Sequence, residues 1–146
     1  MVYTAGIVDG EGCIGIYLAS NKSRVYKTRS VYAVVAVDNT DIIFINWLLE
    51  TFDAGSIVSF RYKGGNRKVK YTWRVHSRQA AEFLRMILPY LKLKWEQAEI
   101  VLKLESMRDS FAEKHIRSLP QDEWDARLAL RDAIGVLNKR GTDTVT

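Results

Sequence analysis

The segment from Gly6 to Gly12 contains the residues best placed for chemistry. Gly6 and Gly10 lie four apart, so in a helix both fall on one face, which a second helix could approach backbone to backbone. Gly10 and Gly12 flank Glu11 and favour the end of the helix there. A carboxylate in such a place could hold a hard divalent cation, which can support phosphodiester hydrolysis. The alternative is an ordinary exposed acid, but it gives the flanking glycines no purpose.

Two segments of the chain concentrate positive charge. The formal net charge is +5, and residues 21–29 carry four positive charges and no acid. Residues 61–74 carry six positive charges and again no acid. Such clusters are suited to a polyanion through phosphate neutralisation and counterion release. Charge alone equally allows a pair of solvated hairpin tips.

The composition predicts one compact domain. The chain has 146 residues, of which 47% are hydrophobic, so we expect a single domain over 1–146. No stretch approaches the roughly 20 apolar residues of a membrane span, so we expect no membrane partner. The start lacks a basic leader and contains Asp9 and Glu11, so we expect no signal peptide and an intracellular protein of unknown compartment.

Cysteine and histidine usage excludes several kinds of site. Cys13 is the only cysteine, which excludes an internal disulfide and cysteine-rich zinc sites and fits a reducing compartment. On its apolar strand, Cys13 is expected to be a small core residue. His76 and His115 have no ligand partners near them in the sequence, so we expect neither a zinc site nor a histidine-based nuclease site.

The first half of the chain predicts a helix, a hairpin and a second helix. A helix over residues 3–10 leads into a strand over 13–20, where apolar residues recur with a period of two. A β-branched and aromatic segment over 31–37 completes a hairpin with a long loop. Residues 38–41 then offer several N-caps for a helix that Gly55 closes.

The second half predicts another hairpin and three helices. Residues 64–66 form the turn of the hairpin, and Ser77 caps a helix that ends near Pro89. Two further helices are expected over about 93–107 and 121–137. The order α-β-β-α-β-β-α-α-α predicts an α+β fold, with helices on one face of an antiparallel sheet and polar, basic residues on the other.

The string TAGIVDGEG, from Thr4 to Gly12, resembles the LAGLIDADG motif of the homing endonucleases, and only Thr4 departs from it without a conservative replacement. Residues 88–98 and 137–140 resemble later segments of that family, so the resemblance spans about residues 3–140. It implies an α-β-β-α-β-β-α core. In that core a curved four-stranded antiparallel sheet forms a DNA-binding saddle backed by helices, with further C-terminal helices.

The resemblance also implies an activity and an assembly. A chain with one motif implies a homodimer, with Ala5, Gly6, Asp9 and Gly10 at the dimer interface. The dimer would cut both strands of a long, pseudo-palindromic DNA site, as expected in intron homing. Glu11 would bind the metal ion, with the carbonyl of Gly10 as a further ligand. Mg²⁺ is the implied cofactor; Mn²⁺ should substitute for it, and Ca²⁺ should bind without supporting cleavage.

Two more catalytic positions carry over from the family. Lys94 matches a lysine near the active site that helps to polarise the scissile phosphate or the nucleophilic water. Asn39 matches a polar residue, often glutamine, that orients active-site water. The alternative for Lys94 is an ordinary solvated lysine, and the alternative for Asn39 is a helix cap. Asp9 matches an acid that serves helix-end hydrogen bonding, whereas Ile43 replaces an arginine found in some relatives.

DNA contacts are predicted from strand parity counted from Glu11, from the two basic segments and from a tail that resembles a backbone-gripping segment of the family. The predicted residues are Tyr17, Asn21, Lys22, Ser23, Arg24, Lys27, Thr28, Ser30, Tyr32, Ser59, Arg61, Lys63, Arg67, Lys68, Lys70, Thr72, Arg74, Lys139, Arg140 and Thr142. Arg61 and Arg74 are the best candidates for bidentate contacts with guanine, whereas the lysines are better suited to contacts with phosphates. Val34 and Ala36 are apolar on the same face, which suits thymine methyl groups.

Related folds also serve as RNA-splicing maturases and as DNA-binding regulators that have lost cleavage. Regulators tend to lose the acid at the end of the motif, and the presence of Glu11 favours the nuclease. RNA remains a possible partner, because a maturase role could coexist with cleavage and leaves no separate mark in the sequence.

Overall fold

The computed structural model describes residues 1–20, 29–113 and 119–139. The elements, in chain order, are α1 (Val2–Glu11), β1 (Gly12–Ser20), β2 (Arg29–Asn39), α2 (Ile42–Phe52), β3 (Ser56–Phe60), β4 (Lys70–His76), α3 (Ser77–Ile87), a 3-10 turn (Leu88–Tyr90), α4 (Trp95–Glu113) and α5 (Gln121–Asn138). The order expected from the sequence is confirmed, with the short 3-10 turn as an addition.

The four strands form one antiparallel sheet in the order β1-β2-β4-β3. One face of this sheet is buried against helices α2, α3, α4 and α5, and apolar residues alternate along β1 and β2 to supply that face. The largest fully buried side chains on that face and on the helices include Trp73, Phe83, Ile14, Ile45, Leu48, Leu84, Ile87, Leu104 and Ile134. The α+β fold class is therefore confirmed.

The other face of the sheet, which we call the open face, is the one turned away from this core. Its residues follow from the pairing register, in which Tyr17 lies opposite Tyr32, and Ala36 lies opposite Arg74. Cys13 belongs to this face and is exposed. The expectation of a core cysteine is wrong, because Ile14 and Ile16 take the buried parity of β1.

The ends of α2 and α3 differ from the sequence expectation. Asp41 is the N-cap of α2, and its carboxylate accepts hydrogen bonds from the amides of Ile43 and Phe44 at 2.9 and 3.3 Å. The helix ends at left-handed Asp53 rather than at Gly55. Helix α3 begins at Ser77, and its N-cap position is His76, so Ser77 is not the cap.

Gly55 has a different role, at the start of β3. Its φ is +87°, and a Cβ atom there would lie 2.5 Å from the carbonyl oxygen of Arg74. Glycine is therefore required where β3 approaches β4.

No helix in the described parts of the chain is long and apolar enough to cross a membrane.

Candidate active site

Glu11 is the last residue of α1, and its carboxylate is exposed. The side-chain amide of Asn39 donates a hydrogen bond to Glu11 Oε2 at 3.3 Å. The amide oxygen of Asn39 accepts from the backbone N–H of Asp41 at 2.8 Å, which fixes the orientation of the side chain. The structure thus brings together Glu11 and Asn39, two of the three predicted catalytic residues. The N-cap of α2 is Asp41 rather than Asn39.

Lys94 is bound to the end of the same helix. Its Nζ donates to the carbonyl oxygens of Val8, Asp9 and Gly12 at 2.8, 3.0 and 2.6 Å. Burial lowers the pKa of the Lys94 ammonium, and the negative charge of Asp9 opposes that shift. A cation at these carbonyls also complements the negative end of the helix dipole. Lys94 is therefore not a freely solvated lysine; it holds the helix end that carries Glu11.

Substituting Lys94 by methionine tests this role. We expect Lys94→Met to lower the free energy of unfolding by about 2–3 kcal/mol, because it removes a charged donor from three carbonyls. Chemical denaturation followed by circular dichroism measures the change. Lys92→Met is the matched control, since the side chain of Lys92 is exposed and should change stability by no more than about 0.5 kcal/mol. Equal stability of the two variants would contradict the assigned role of Lys94.

Asp9 faces into its own subunit. Its carboxylate accepts hydrogen bonds from the backbone N–H groups of Lys92, Leu93 and Lys94 at 2.7, 3.1 and 3.0 Å. Ala5, one helical turn earlier, is completely buried in the core. The assignment of Ala5 to a dimer interface is therefore wrong, because Ala5 is packed inside its own subunit. Asp9 is only half-buried, so its place at a dimer interface stays a prediction.

Gly6 and Gly10 lie on the exposed side of α1. A Cβ atom at either position would meet no atom within 4 Å. Beside them an open groove of about 680 Å³ runs between α1 and α2 and reaches Glu11, Asn39 and Phe44. The two glycines thus form an uncovered small-residue surface next to the carboxylate.

Exposed aromatic and aliphatic side chains border this small-residue surface. Tyr3 is 65% exposed and packs edge-on against Trp47, with ring centroids 5.6 Å apart. The ring of Phe44 also stacks against that of Trp47, with centroids 6.1 Å apart, and Ile43 of the same helix is 78% exposed. This border could not be recognised from the sequence. Helix α2 carries apolar residues on its core side and on its exposed side, so their spacing does not separate the two sides.

An aromatic and basic cluster occupies the middle of the open face. The rings of Tyr17 and Tyr32 have centroids 6.1 Å apart, and Tyr32 lies at the same distance from His76. With Val34 and Arg74 they line a hollow of about 230 Å³. Among the described residues, the buried Nε of Arg74 has no hydrogen-bond partner. Tyr17, Tyr32 and Arg74 therefore lie on the face predicted for them.

Asp38 is an acidic residue on the open face that the sequence analysis took only as a possible helix cap. Lys70 forms an ion pair with Asp38 at 3.2 Å, and the hydroxyl of Thr72 donates to the same carboxylate. Lys70 and Thr72 are thus on the predicted face, but both are bound to an acid of the same subunit. Asp38 on β2 is paired with Thr72 on β4, which brings the carboxylate of Asp38 to Lys70 and Thr72. The register between these two strands could not be predicted from the sequence.

Strand β3 has the opposite parity to the one predicted. Ser59 pairs with Tyr71 and Ile57 pairs with Trp73, which places Ser59 on the core side of the sheet. The expectation that Ser59 lies on the DNA-facing side is wrong. Arg61, Lys63, Arg67 and Lys68 are exposed beyond the end of β3, where strand parity does not apply.

The remaining predicted contacts lie at the edges of the described structure. Ser30 pairs with Ala19 on the open face, and Lys139 follows the end of α5. Helix α5 is joined to β1 there, since the side-chain amide of Asn138 donates to the carbonyl of Ile14 at 2.9 Å. The predicted residues outside the described parts of the chain are Asn21, Lys22, Ser23, Arg24, Lys27, Thr28, Arg140 and Thr142, together with His115.

The donor atoms near Glu11 suit a hard cation in type but not in number. Glu11 offers an exposed carboxylate, and the three carbonyls bound by Lys94 do not include that of Gly10. Residues 1–20, 29–113 and 119–139 contain no group of three or more His, Cys, Asp or Glu side chains able to hold a metal ion. Carboxylate and carbonyl oxygens are the kind of ligand that Mg²⁺ prefers.

Comparison with known proteins was made by sequence and by fold. No protein-family model matches the chain, and no curated protein matches it by sequence. Solved structures do match. The homing endonuclease I-CvuI in complex with its target in the presence of Ca has a TM-score of 0.74 and 21% identity, over 99% of this chain and 85% of that one.

Two further structures show the same fold. The archaeal intron-encoded homing endonuclease I-Vdi141I, complexed with DNA, has a TM-score of 0.71 and 14% identity over 94% of this chain and 83% of that one. The LAGLIDADG homing endonuclease I-GzeII, in complex with a DNA target, has a TM-score of 0.68 and 18% identity, over 89% of this chain and 43% of that one. The chain therefore has the fold of the LAGLIDADG homing endonucleases, as the resemblance of residues 4–12 implied.

Proposed function

We propose that the protein is a divalent-metal-dependent homing endonuclease, active as a homodimer, that cuts both strands of a long, pseudo-palindromic DNA site. In this proposal residues 1–146 are a single endonuclease domain. The observation that carries the proposal is the position of Glu11. It lies exposed at the end of a helix with a bare glycine face, beside Asn39 and next to the open face of the sheet.

The dimer is proposed from the surface of α1. Gly6 and Gly10 leave room for a second α1 to approach closely, and exposed Tyr3 and Trp47 would add apolar contact at its border. An isologous contact of this kind would bring two copies of Glu11 near the symmetry axis.

In this site Glu11 and the carbonyl of Gly10 would hold Mg²⁺, or Mn²⁺ in its place, whereas Ca²⁺ would bind without supporting cleavage. The metal ion supplies an activated water and stabilises the charge of the leaving oxygen. The protein's own contribution is to place the ligand. Asn39 orients the Glu11 carboxylate by its hydrogen bond, and Lys94 fixes the carbonyl end of α1. Neither residue need leave these contacts for Glu11 to act.

The open face would lie in the major groove of the DNA. Arg74, held among aromatic rings, is suited to a bidentate contact with guanine, and Arg61 is the second candidate. Exposed lysines at the hairpin tip, such as Lys63 and Lys68, are suited to phosphates.

Cleavage of one DNA duplex tests the proposal. The duplex joins the two sequences that flank the gene, as if the insertion were absent, and is incubated with Mg²⁺, with Ca²⁺ or with chelator. Cutting of both strands with Mg²⁺ alone supports the endonuclease. Tight, specific binding without cutting in any condition would overturn it in favour of a DNA-binding regulator or a maturase.

A further inference from the structure

Strand β3 presents two apolar side chains to the open face. Val58 and Phe60 pair with Thr72 and Lys70, so they lie on the side of the sheet opposite the core. They are 44% and 53% exposed. We call these two residues the β3 strip. Burying large apolar groups is favourable, so an uncovered strip of this kind is suited to contact with an apolar surface of a partner.

The Phe60 side chain is supported before any partner binds. The ring of Tyr62 meets it edge-on, with centroids 4.9 Å apart, and the guanidinium of Arg67 lies 5.2 Å from the centre of the Tyr62 ring. Because Phe60 is held in this way, little side-chain freedom remains to be lost on binding. The support also favours contact along the surface of the ring over insertion between stacked bases.

The hairpin that carries the β3 strip is basic, and Asp38, which lies two strands away on the open face, is already paired with Lys70. The segment from residue 54 to residue 81 contains no aspartate or glutamate. Arg61, Lys63 and Lys68 are exposed near its end. The partner of the strip must therefore carry an apolar group close to negative charge. In the major groove, the thymine C5-methyl group is the apolar feature of the base edges, and phosphates flank it on both strands.

We propose that the β3 strip reads thymine methyl groups in the DNA target, with Phe60 as the main contact and Val58 beside it. The inference rests on the proposed function and adds a specificity to it. Each half-site then carries thymine at one or two positions beneath β3. Polar recognition by Arg74 and methyl recognition by Phe60 would act on different base pairs, since β4 and β3 are neighbouring strands.

Deoxyuridine substitution isolates the methyl group, because deoxyuridine has the same hydrogen-bonding edge as thymidine and lacks only the methyl. The thymines of the target duplex are replaced one at a time, and binding is measured in Ca²⁺. At one or two positions of each half-site we expect an affinity loss of about fourfold, the effect of exposing one methyl-sized group. Phe60→Ala should bind the thymine and deoxyuridine targets equally at those positions.

Ser59→Ala is the matched control, because Ser59 is the neighbouring residue on the core side of β3. It should keep the wild-type preference for thymine. Val58→Thr supplies a second variant that preserves strand propensity, and it should weaken the preference without removing it. The circular dichroism spectrum of each variant shows that it is folded.

Three results would overturn the inference in distinguishable ways. Equal wild-type affinity for thymine and deoxyuridine at every position would remove methyl recognition while leaving the endonuclease intact. A Phe60→Ala variant that keeps the full preference would assign the methyl contact to other residues, such as Val34 and Ala36. Failure of the wild-type protein to bind any form of the duplex would overturn the proposed function as well.

Discussion

Glu11→Gln is expected to abolish cleavage of both DNA strands while the protein still binds its target. Glutamine keeps the size and the hydrogen bond to Asn39 but loses the negative charge that a divalent cation requires. Metal-ion catalysis contributes several kcal/mol to transition-state stabilisation, so we expect the single-turnover cleavage rate to fall by at least about a thousandfold. The rate is measured with Mg²⁺, and binding is measured separately by electrophoretic mobility shift in Ca²⁺.

The control for this variant is Glu50→Gln, which removes the same charge from an exposed position on α2. It should cleave at the wild-type rate. Wild-type cleavage by Glu11→Gln would remove Glu11 from the reaction and leave the endonuclease proposal without its metal ligand.

The second large effect is expected at the glycine face of α1. Gly6→Leu would place a branched side chain where the proposed partner helix approaches, and it would do so twice, once in each subunit. Overpacking costs about 1–3 kcal/mol per site, so two sites should raise the dimer dissociation constant by at least about thirtyfold. Cleavage should be lost with the dimer, and sedimentation velocity over a range of protein concentrations measures the assembly.

The folded subunit itself should tolerate Gly6→Leu. A Cβ atom at Gly6 meets nothing within 4 Å, and leucine favours a helix more than glycine does. Gly135→Leu is the matched control, because Gly135 also lies in a helix with open space around its Cβ position. A Gly6→Leu variant that sediments as the wild-type dimer would contradict the proposed interface.

The order of elements could be predicted from the sequence because it rests on local patterns. On β1, Ile14 and Ile16 alternate with Gly15 and Tyr17, so the sequence predicted which residues of the strand are buried. Strand β3 was not readable in this way, because Ile57 and Val58 are apolar on both parities and its register is set by pairing with β4. Ser59 was placed on the wrong face for this reason. Cys13 was misplaced because its apolar character was followed, although its parity is opposite to that of buried Ile14.

The candidate site was predictable as a motif but not as an arrangement of atoms. The spacing of Gly6, Gly10 and Glu11 identified the end of α1, and the structure brings Asn39 to Glu11. The motif alone does not say which side of α1 is buried. Ala5 belongs to the apolar core, and the carboxylate of Asp9 turns toward its own subunit because a segment more than 80 residues later supplies three backbone amides to it. Contacts of such long range leave no local pattern in the sequence.

The reciprocal bonding of Asp9 and Lys94 also has a consequence for synthesis of the chain. Asp9 accepts three hydrogen bonds from residues 92–94, and Lys94 returns three to the end of α1. The ribosome makes α1 before residues 92–94, so the partners of its last turn emerge only after more than 80 further residues. A nascent or truncated chain that ends before residue 94 therefore carries the motif without the contacts that fix Glu11. The chain acquires a fixed Glu11 only after residue 94 has been made, when helices α1 to α3 and all four strands of the described sheet are already available to fold together.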